Sequence, residues 1–166
     1  MKTILSLALI FFGATSISLA QLTTAQQQRL NQLQQAINNA PANAAQLLGD
    51  FLAEPGNASI ATEATAIAIE TAGIDNANDV ASFVTTVVEN NRSLVVLIVA
   101  GAIQAVPSSA SALLTAATTG AINAGEELTV EEVADIEVLV QTEENRQTEL
   151  ESDPEVQTAI NGETGA

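Results

Sequence analysis

Short amphipathic segments separated by Pro, Gly and Asn recur along this chain and constrain its fold more than any other feature. Within each segment, apolar residues recur three and four positions apart, which is the spacing of one helix face. Successive segments begin near residues 41, 57, 76, 92 and 107, a loose period of about 16 residues. The sequence predicts an all-α protein, a compact bundle or short stack of about six to eight short helices in which sequential helices pack antiparallel.

Helix start and stop signals place the individual helices. The first predicted helix runs from about 25 to 39 behind a capping box at Thr24–Gln27, and the second runs from Pro41 to a stop at Glu54-Pro55-Gly56. The third is capped by Asn57 or Ser59 and ends at Gly73. The fourth begins at Asp75 or Asn76, and the sixth runs from Pro107 to Gly120. The predicted buried stripes are Leu30, Leu33 and Ile37; Leu47, Leu48, Phe51 and Leu52; Ile60, Ala64, Ile67 and Ala68; Val80, Phe83, Val84, Val87 and Val88; and Leu113 with Leu114.

The fifth segment is an apolar run from Leu94 to Val106, interrupted only by Gly101 and Gln104. A helix of this length spans about 20 Å at about 1.5 Å per residue, short of a hydrocarbon core of about 30 Å. Its composition favours a central core helix covered on every side. A buried strand over "LVVLIV", or a surface that pairs with other subunits or enters a bilayer, stays open. The candidate interaction residues are Leu94, Val95, Leu97, Ile98 and Ile103.

The first twenty residues resemble an export signal: Lys2, an apolar stretch from Ile4 to Phe12, and the small-x-small site Ser18-Leu19-Ala20. Cleavage between Ala20 and Gln21 predicts a secreted or periplasmic protein. Cysteine is absent from the sequence, so disulfides cannot stabilise the fold. Hydrophobic residues are 47% of the chain and aromatic residues 2%, which predicts a core of Ala, Val, Leu and Ile.

Charge divides the chain beyond the signal into two parts. Residues 21–125 form a predicted apolar helical body, and 126–166 a predicted acidic C-terminal helical section with a frayed end. In the acidic section a capping box at Thr129–Glu132 precedes a stripe of Val133, Ile136 and Val140, although "DIEVLVQ" also alternates like a strand. A further helix start lies at Ser152–Glu155.

The net charge of -16 limits the partners of the chain. Once the signal is removed its cations are Arg29, Arg92 and Arg146, too few and too scattered to displace counterions from nucleic acid. Anionic membrane surfaces repel such a chain for the same reason. We expect protein partners, self-association or diffusely held divalent cations, no nucleic acid partner and no role in a membrane.

Catalysis is disfavoured because, beyond the signal, the sequence has no His, Cys, Lys or Tyr to serve as general base, nucleophile or soft metal ligand. The sequence predicts no enzyme, catalytic residue or cofactor. "GIDNAND" lacks the spacing of a calcium loop, and its Asp75, Asn76 and Asp79 are better interpreted as helix caps. Candidates for diffuse cation attraction are Asp75, Asp79, Glu126, Glu127, Glu131 and Glu132.

Asn57 and Asn91 begin glycosylation sequons at predicted turns, where they would be accessible; helix capping is the preferred interpretation of both.

The predicted function is an exported, non-enzymatic structural or interaction protein, such as a self-associating component of a surface or matrix layer. The alternative is a soluble helical binder of a small apolar ligand. A third is a membrane-active protein that conceals an apolar hairpin at 94–119.

Overall fold

Seven α-helices follow one another through residues 22–152, the part of the chain that the computed structural model describes. They are α1 (Thr24–Asn39), α2 (Ala44–Ala53), α3 (Ala61–Ala72), α4 (Ala77–Asn90), α5 (Val95–Ala105), α6 (Ala110–Asn123) and α7 (Val130–Ser152). Single 3₁₀ turns precede α2, α3, α5 and α6. The all-α prediction is confirmed, and "DIEVLVQ" lies inside α7 rather than in a strand. The helix start predicted near Ser152 falls largely on residues outside the described range.

The predicted buried stripes form the core. Every stripe residue predicted for α1 and α4 is buried, and Leu48 and Leu52 of α2 are buried with them. Leu47, Phe51 and Ile67 are half-buried and pack against this core. The core side chains are almost all Ala, Val, Leu and Ile, as the composition predicts.

The starts of two helices differ from prediction. Thr23, not Thr24, caps α1: its hydroxyl accepts from the backbone N–H of Gln26 at 3.2 Å, and the Gln26 side chain accepts from the backbone N–H of Thr23 at 2.8 Å. The capping box is therefore one residue earlier than predicted. Pro41 begins a 3₁₀ turn rather than a helix, and α2 starts only at Ala44.

The helices form two layers, and the largest contacts join helices that are two apart in sequence. α4 packs on α6 and α3 packs on α5, followed by α1 on α3. Thus α1, α3 and α5 make one layer, α2, α4 and α6 make the other, and α7 packs on both α5 and α6. The prediction that sequential helices are the main antiparallel partners is wrong. The short connections place sequential helices in opposite layers, so the lateral neighbour of each helix is the one two places further along.

The structural repeat is a pair of helices, not one helix. α2, α4 and α6 begin at Ala44, Ala77 and Ala110, each 33 residues after the last. Each of the five buried residues of α4 has a buried residue 33 positions later in α6, and five of the six buried residues of α3 have one 34 positions later in α5. The period of about 16 residues in the sequence corresponds to half of this repeat.

Gly101 permits the close approach of α5 to α3. A Cβ atom on Gly101 would lie 2.7 Å from the Cβ of Thr65 and closer still to the carbonyl oxygen of Thr62. At the same crossing the Thr62 hydroxyl donates to the carbonyl of Leu97 at 3.3 Å. The backbones of these two helices therefore meet where only glycine fits.

Gly120 does the same for α6 against α4. A Cβ there would lie 2.6 Å from the carbonyl oxygen of Thr85 and 2.9 Å from the Cβ of Val88. The Thr85 hydroxyl donates to the carbonyl of Ala116 at 3.2 Å. In both crossings the hydroxyl of a threonine on one helix donates to the backbone carbonyl that lies four residues before the glycine of the other helix. The prediction that Gly120 ends its helix is wrong, because α6 continues to Asn123 and uses the glycine for packing.

We predict that Gly101→Ala and Gly120→Ala each lower the free energy of unfolding. Alanine raises intrinsic helix stability by about 1 kcal/mol, but the added methyl group overpacks a backbone contact at a cost of about 1–3 kcal/mol. Gly49→Ala in α2 is the matched control, because its Cβ would meet the nearest atom, Asn91 Nδ2, at an ordinary 3.5 Å. Urea unfolding of the three variants measures the difference. Equal stabilisation by all three would show that the crossings are not close-packed.

Candidate interaction surfaces

The interaction residues predicted on α5 lie mostly inside the protein. Val95, Ile98 and Ile103 are buried, and Leu94 is half-buried against the core. Leu97 is 40% exposed. The helix is thus a core element with one open edge, rather than one covered on every side.

The segments predicted to form an apolar hairpin at 94–119 belong to different layers. α5 packs chiefly on α3, and α6 chiefly on α4, while the contact between α5 and α6 is much smaller. Within residues 22–152, none of the helices has the length and apolar character needed to cross a bilayer.

Exposed apolar side chains gather at the C-terminal end of the stack. In the described range the exposed large hydrophobic residues are Leu97 and four others, Ile122 at 59%, Val130 at 89%, Val138 at 63% and Leu150. These four lie at the end of α6 or on α7. Their position indicates that the layers stop there with apolar surface uncovered.

Ile122 stands at a repeat position that is exposed in both α4 and α6. In α4, Thr85 and Glu89 contact α6: the Thr85 hydroxyl donates to the carbonyl of Ala116, and the Glu89 carboxylate accepts from the Asn123 side-chain amide at 3.5 Å. The positions 33 residues later are Thr118 and Ile122. Thr85 and Thr118 are both half-buried and Glu89 and Ile122 are both exposed, so what changes along the repeat is the residue type, from glutamate to isoleucine.

After α5 of the odd layer, the corresponding positions become more exposed at the start of α7. In α3, Thr62 and Thr65 are the residues that contact Gly101 of α5. Two repeats of 34 residues later, Val130 corresponds to Thr62 and Val133 corresponds to Thr65, both at the start of α7. Val130 is almost fully exposed and Val133 is half-buried. We call Leu114, Thr118, Ile122 and Val130 the C-terminal end face.

An opposite end face lies on α2. The buried stripe Ala44, Leu48 and Leu52 aligns with Val80, Val84 and Val88 of α4 at a spacing of 36 residues, three more than the spacing of the helix starts, and Leu47 and Phe51 then take the places of Phe83 and Val87. The α4 residues are buried, whereas Leu47 and Phe51 are half-buried. We call Leu47 and Phe51 the N-terminal end face.

The two ends carry different charge. α1 contains no acidic residue and one cation, Arg29, while most of its exposed residues are Gln and Asn. α7 carries eight acidic residues and Arg146. That arginine pairs with Glu143 on its own helix, which lowers the pKa of the Glu143 carboxyl. The acidic section predicted from the sequence therefore lies at one end of the stack.

Arg92 ties this acidic section to the helical body. Its two terminal nitrogens each donate to one carboxylate oxygen of Glu132 at 2.6 Å, and one of them also donates to the carbonyl of Glu127 at 2.7 Å. The Arg92 side chain is only 11% exposed. The same carboxylate closes the predicted capping box of α7 by accepting from the backbone N–H of Thr129 at 2.8 Å. Mainly through its hydrogen bonds with Arg92, the pKa of Glu132 falls from 4.5 to about 2.

The carboxylates proposed for diffuse cation attraction are mostly exposed and separate. Asp79 accepts from the side-chain amide of Asn76 at 2.7 Å, and Asn76 caps α4 by accepting from the backbone N–H of Asp79. Glu132 is bound by Arg92, whereas Asp75, Glu126, Glu127 and Glu131 are exposed. Across 22–152 the acidic side chains form no group of three or more placed to hold a metal ion.

Asn57 and Asn91 are buried structural side chains. The Asn57 amide donates to the carbonyl of Phe51 at 2.7 Å, and its oxygen accepts from Arg29 at 2.8 Å. The Asn91 amide donates to the carbonyl of Gly49 at 3.2 Å. Neither side chain caps a helix, and Asn57 is 0% exposed, so the predictions of capping and accessibility are wrong. Their spacing of 34 residues is instead a signal of the repeat.

A depression of about 500 Å³ lies beside Arg92 where α4 meets α5. Its walls combine the polar residues Asn90, Asn91, Arg92, Ser93 and Glu126 with Leu52, Ala53, Ala58 and Leu94. This mixed lining is more polar than the largely apolar one expected of a site for a small apolar ligand.

Comparison of the chain with protein-family models, with curated proteins and with solved structures finds no match. The functional argument therefore depends on the surfaces described above.

We predict that Glu132→Gln lowers the free energy of unfolding at neutral pH by about 1–2 kcal/mol, because a charged bidentate pair becomes a weaker neutral contact. The pKa of Glu132 is lowered in the folded chain, so its contribution is complete above pH 4.5 and is lost as the pH falls towards 2. Unfolding curves of wild type and variant should converge over this range. Glu131→Gln, on the same exposed turn, is the control. An equal loss in both variants, or a difference that is undiminished at pH 2, would contradict the role of the Arg92 pair.

Proposed function

We propose that this chain is an exported, non-enzymatic structural protein that self-associates, as a component of a surface or matrix layer outside the cytoplasm. The observation that supports the proposal is the apolar surface at the two ends of the stack: Ile122, Val130 and Val138 are exposed at the C-terminal end, and Leu47 and Phe51 of α2 are half-buried. A repeat of this kind presents surfaces that already match its own helices, so a second copy is the partner they suit best.

The residues available for chemistry support a binding role rather than catalysis. Beyond residue 20 the sequence offers carboxylates, hydroxyls, amides and three arginines. Two of the arginines, Arg92 and Arg146, are paired with glutamates, and Arg29 donates to Asn57. Few roles in an active site can be filled from this set.

The export signal supports a location outside the cytoplasm. Lys2, the apolar stretch that follows and the small-x-small site at Ala20 lie in residues outside the described range, so this part of the proposal depends on the sequence. A protein without cysteine, stabilised by helix packing, suits an oxidising compartment because it cannot form incorrect disulfides.

Acidic charge controls the proposed association. The excess of carboxylates makes copies repel one another at neutral pH and low ionic strength. Protonation or divalent cations reduce that repulsion and leave the apolar end faces free to meet. The dispersed acidic residues would respond to bulk calcium concentration without a built ion site.

We predict that the purified exported protein forms larger species as its concentration rises and that millimolar calcium promotes this association or raises the melting temperature. Sedimentation velocity and light scattering measure the size, with sodium chloride at matched ionic strength as the control. A monodisperse monomer under every condition would contradict self-association. A calcium effect no larger than that of sodium chloride would contradict the role given to the acidic section.

A further inference from the structure

We infer that the outward face of α7 is a docking site for a basic amphipathic helix of a different protein. The inference does not depend on the proposed self-association. In this complex an uncharged stripe along α7 packs against the apolar face of the partner helix. Two rows of carboxylates beside the stripe pair with lysine or arginine side chains of the partner.

α7 has an inner side and an outer side. Ile136 is fully buried, and Val133, Val140 and Gln147 on the same side are half-buried. On the opposite side six exposed residues follow one another at intervals of three or four, so they lie in one line along the helix. At about 1.5 Å per residue this line is about 27 Å long. We call its residues the outer stripe: Val130, Ala134, Val138, Gln141, Asn145 and Thr148.

The outer stripe contains no charged residue, although α7 carries eight acidic residues. In a helix that faces only solvent, charged side chains normally occupy the face opposite to the core. Here they avoid the centre of that face, and two large apolar side chains occupy part of it, Val130 at 89% exposure and Val138 at 63%. The first half of the stripe is apolar, and the second half is polar and uncharged. Such a line is suited to contact with another helix along its length.

Acidic residues of α7 flank the stripe on both sides. Glu131, Asp135 and Glu149 follow one edge, and Glu137 and Glu144 follow the other. All five are exposed, and within residues 22–152 none of them forms an ion pair. In paired helices these flanking positions hold the charged residues that select the partner. Carboxylates along both edges therefore select a helix that has cations along both edges.

A second copy of this chain cannot supply those cations. Beyond residue 20 the sequence has three arginines and no lysine. Arg92 pairs with Glu132, Arg146 pairs with a glutamate of α7 itself, and Arg29 donates to Asn57. Two copies of α7 placed side by side would bring carboxylates against carboxylates. Charge complementarity therefore assigns the outer stripe to a basic segment of another protein rather than to a copy of this chain.

The probe for this site is a synthetic peptide of three heptads, about 21 residues, with leucine at its seam positions and lysine at the flanking positions. A peptide of the same composition in scrambled order has the same charge but no apolar face, and it is the control. Fluorescence anisotropy of each labelled peptide, titrated with the purified exported protein at physiological ionic strength, measures the dissociation constant. We expect the amphipathic peptide to bind about tenfold more tightly, since only this peptide buries apolar side chains against the stripe.

Val138→Asp separates docking from general attraction between opposite charges. The substitution adds a negative charge, so it would strengthen a purely electrostatic contact with the basic peptide. In the docked complex it places a carboxylate among apolar side chains, and we expect binding to weaken about tenfold. Leu97→Asp adds the same charge at an exposed apolar residue of α5 and is the matched control, which should not weaken binding.

Glu137→Lys tests the acidic rows. Reversing this charge removes one attraction and adds one repulsion, so we expect the dissociation constant of the amphipathic peptide to rise about tenfold. Glu70→Lys, at an exposed residue of α3, changes the net charge of the protein by the same amount and should have a much smaller effect. Circular dichroism confirms that each variant is folded.

Several results would overturn the docking site. They are absence of binding by both peptides, equal binding of the two peptides, tighter binding to Val138→Asp than to wild type, and equal losses in Glu137→Lys and Glu70→Lys. None of these results bears on the association of wild-type copies, which sedimentation velocity measures without any peptide. The docking site and the proposed self-association can therefore fail separately.

Discussion

The close approach of helices at Gly101 and Gly120 is the constraint on which the rest of the structure depends. At both crossings a Cβ atom would overlap the facing helix, and at both a threonine hydroxyl bonds the facing backbone. A core that is nearly all Ala, Val, Leu and Ile offers little buried area per residue, so short interhelical distances must provide many weak contacts. The glycines make this possible for the two largest helix pairings of the stack.

Repetition of one crossing also determines where the stack is incomplete. Within a layer, a helix is covered on both sides only when one helix of that layer precedes it and another follows it. α4 has α2 on one side and α6 on the other, whereas α6 packs on α4 and on α7. At the end of the stack an exposed isoleucine, Ile122, stands where α4 has the exposed Glu89. The apolar surface at this end therefore comes from a change of residue type at a position that is open in both helices.

The sequence predicted the elements of the fold well and their arrangement poorly. Periodicity located the buried faces of α1 and α4 because burial in a helix has a local signature. Gly120 was misinterpreted because a helix stop and a close crossing use the same residue, and only the neighbouring helix distinguishes them. Asn57 and Asn91 were misinterpreted because their partners lie on the backbone of other segments. The exposed apolar residues such as Ile122 were missed because hydrophobic periodicity locates the buried face of a helix and does not show which apolar side chains stay exposed.

The acidic section is best understood together with the apolar ends. Arg92 fixes the first turn of α7 to the body through Glu132, and this places the acidic helix beside the open end of α6. An exposed apolar end on a repeat protein is prone to uncontrolled association, and like charge is a general means of limiting it. Here the charge lies at one end only. It therefore opposes contact between two C-terminal ends more than contact between unlike ends, because two copies of α7 would bring their acidic residues together.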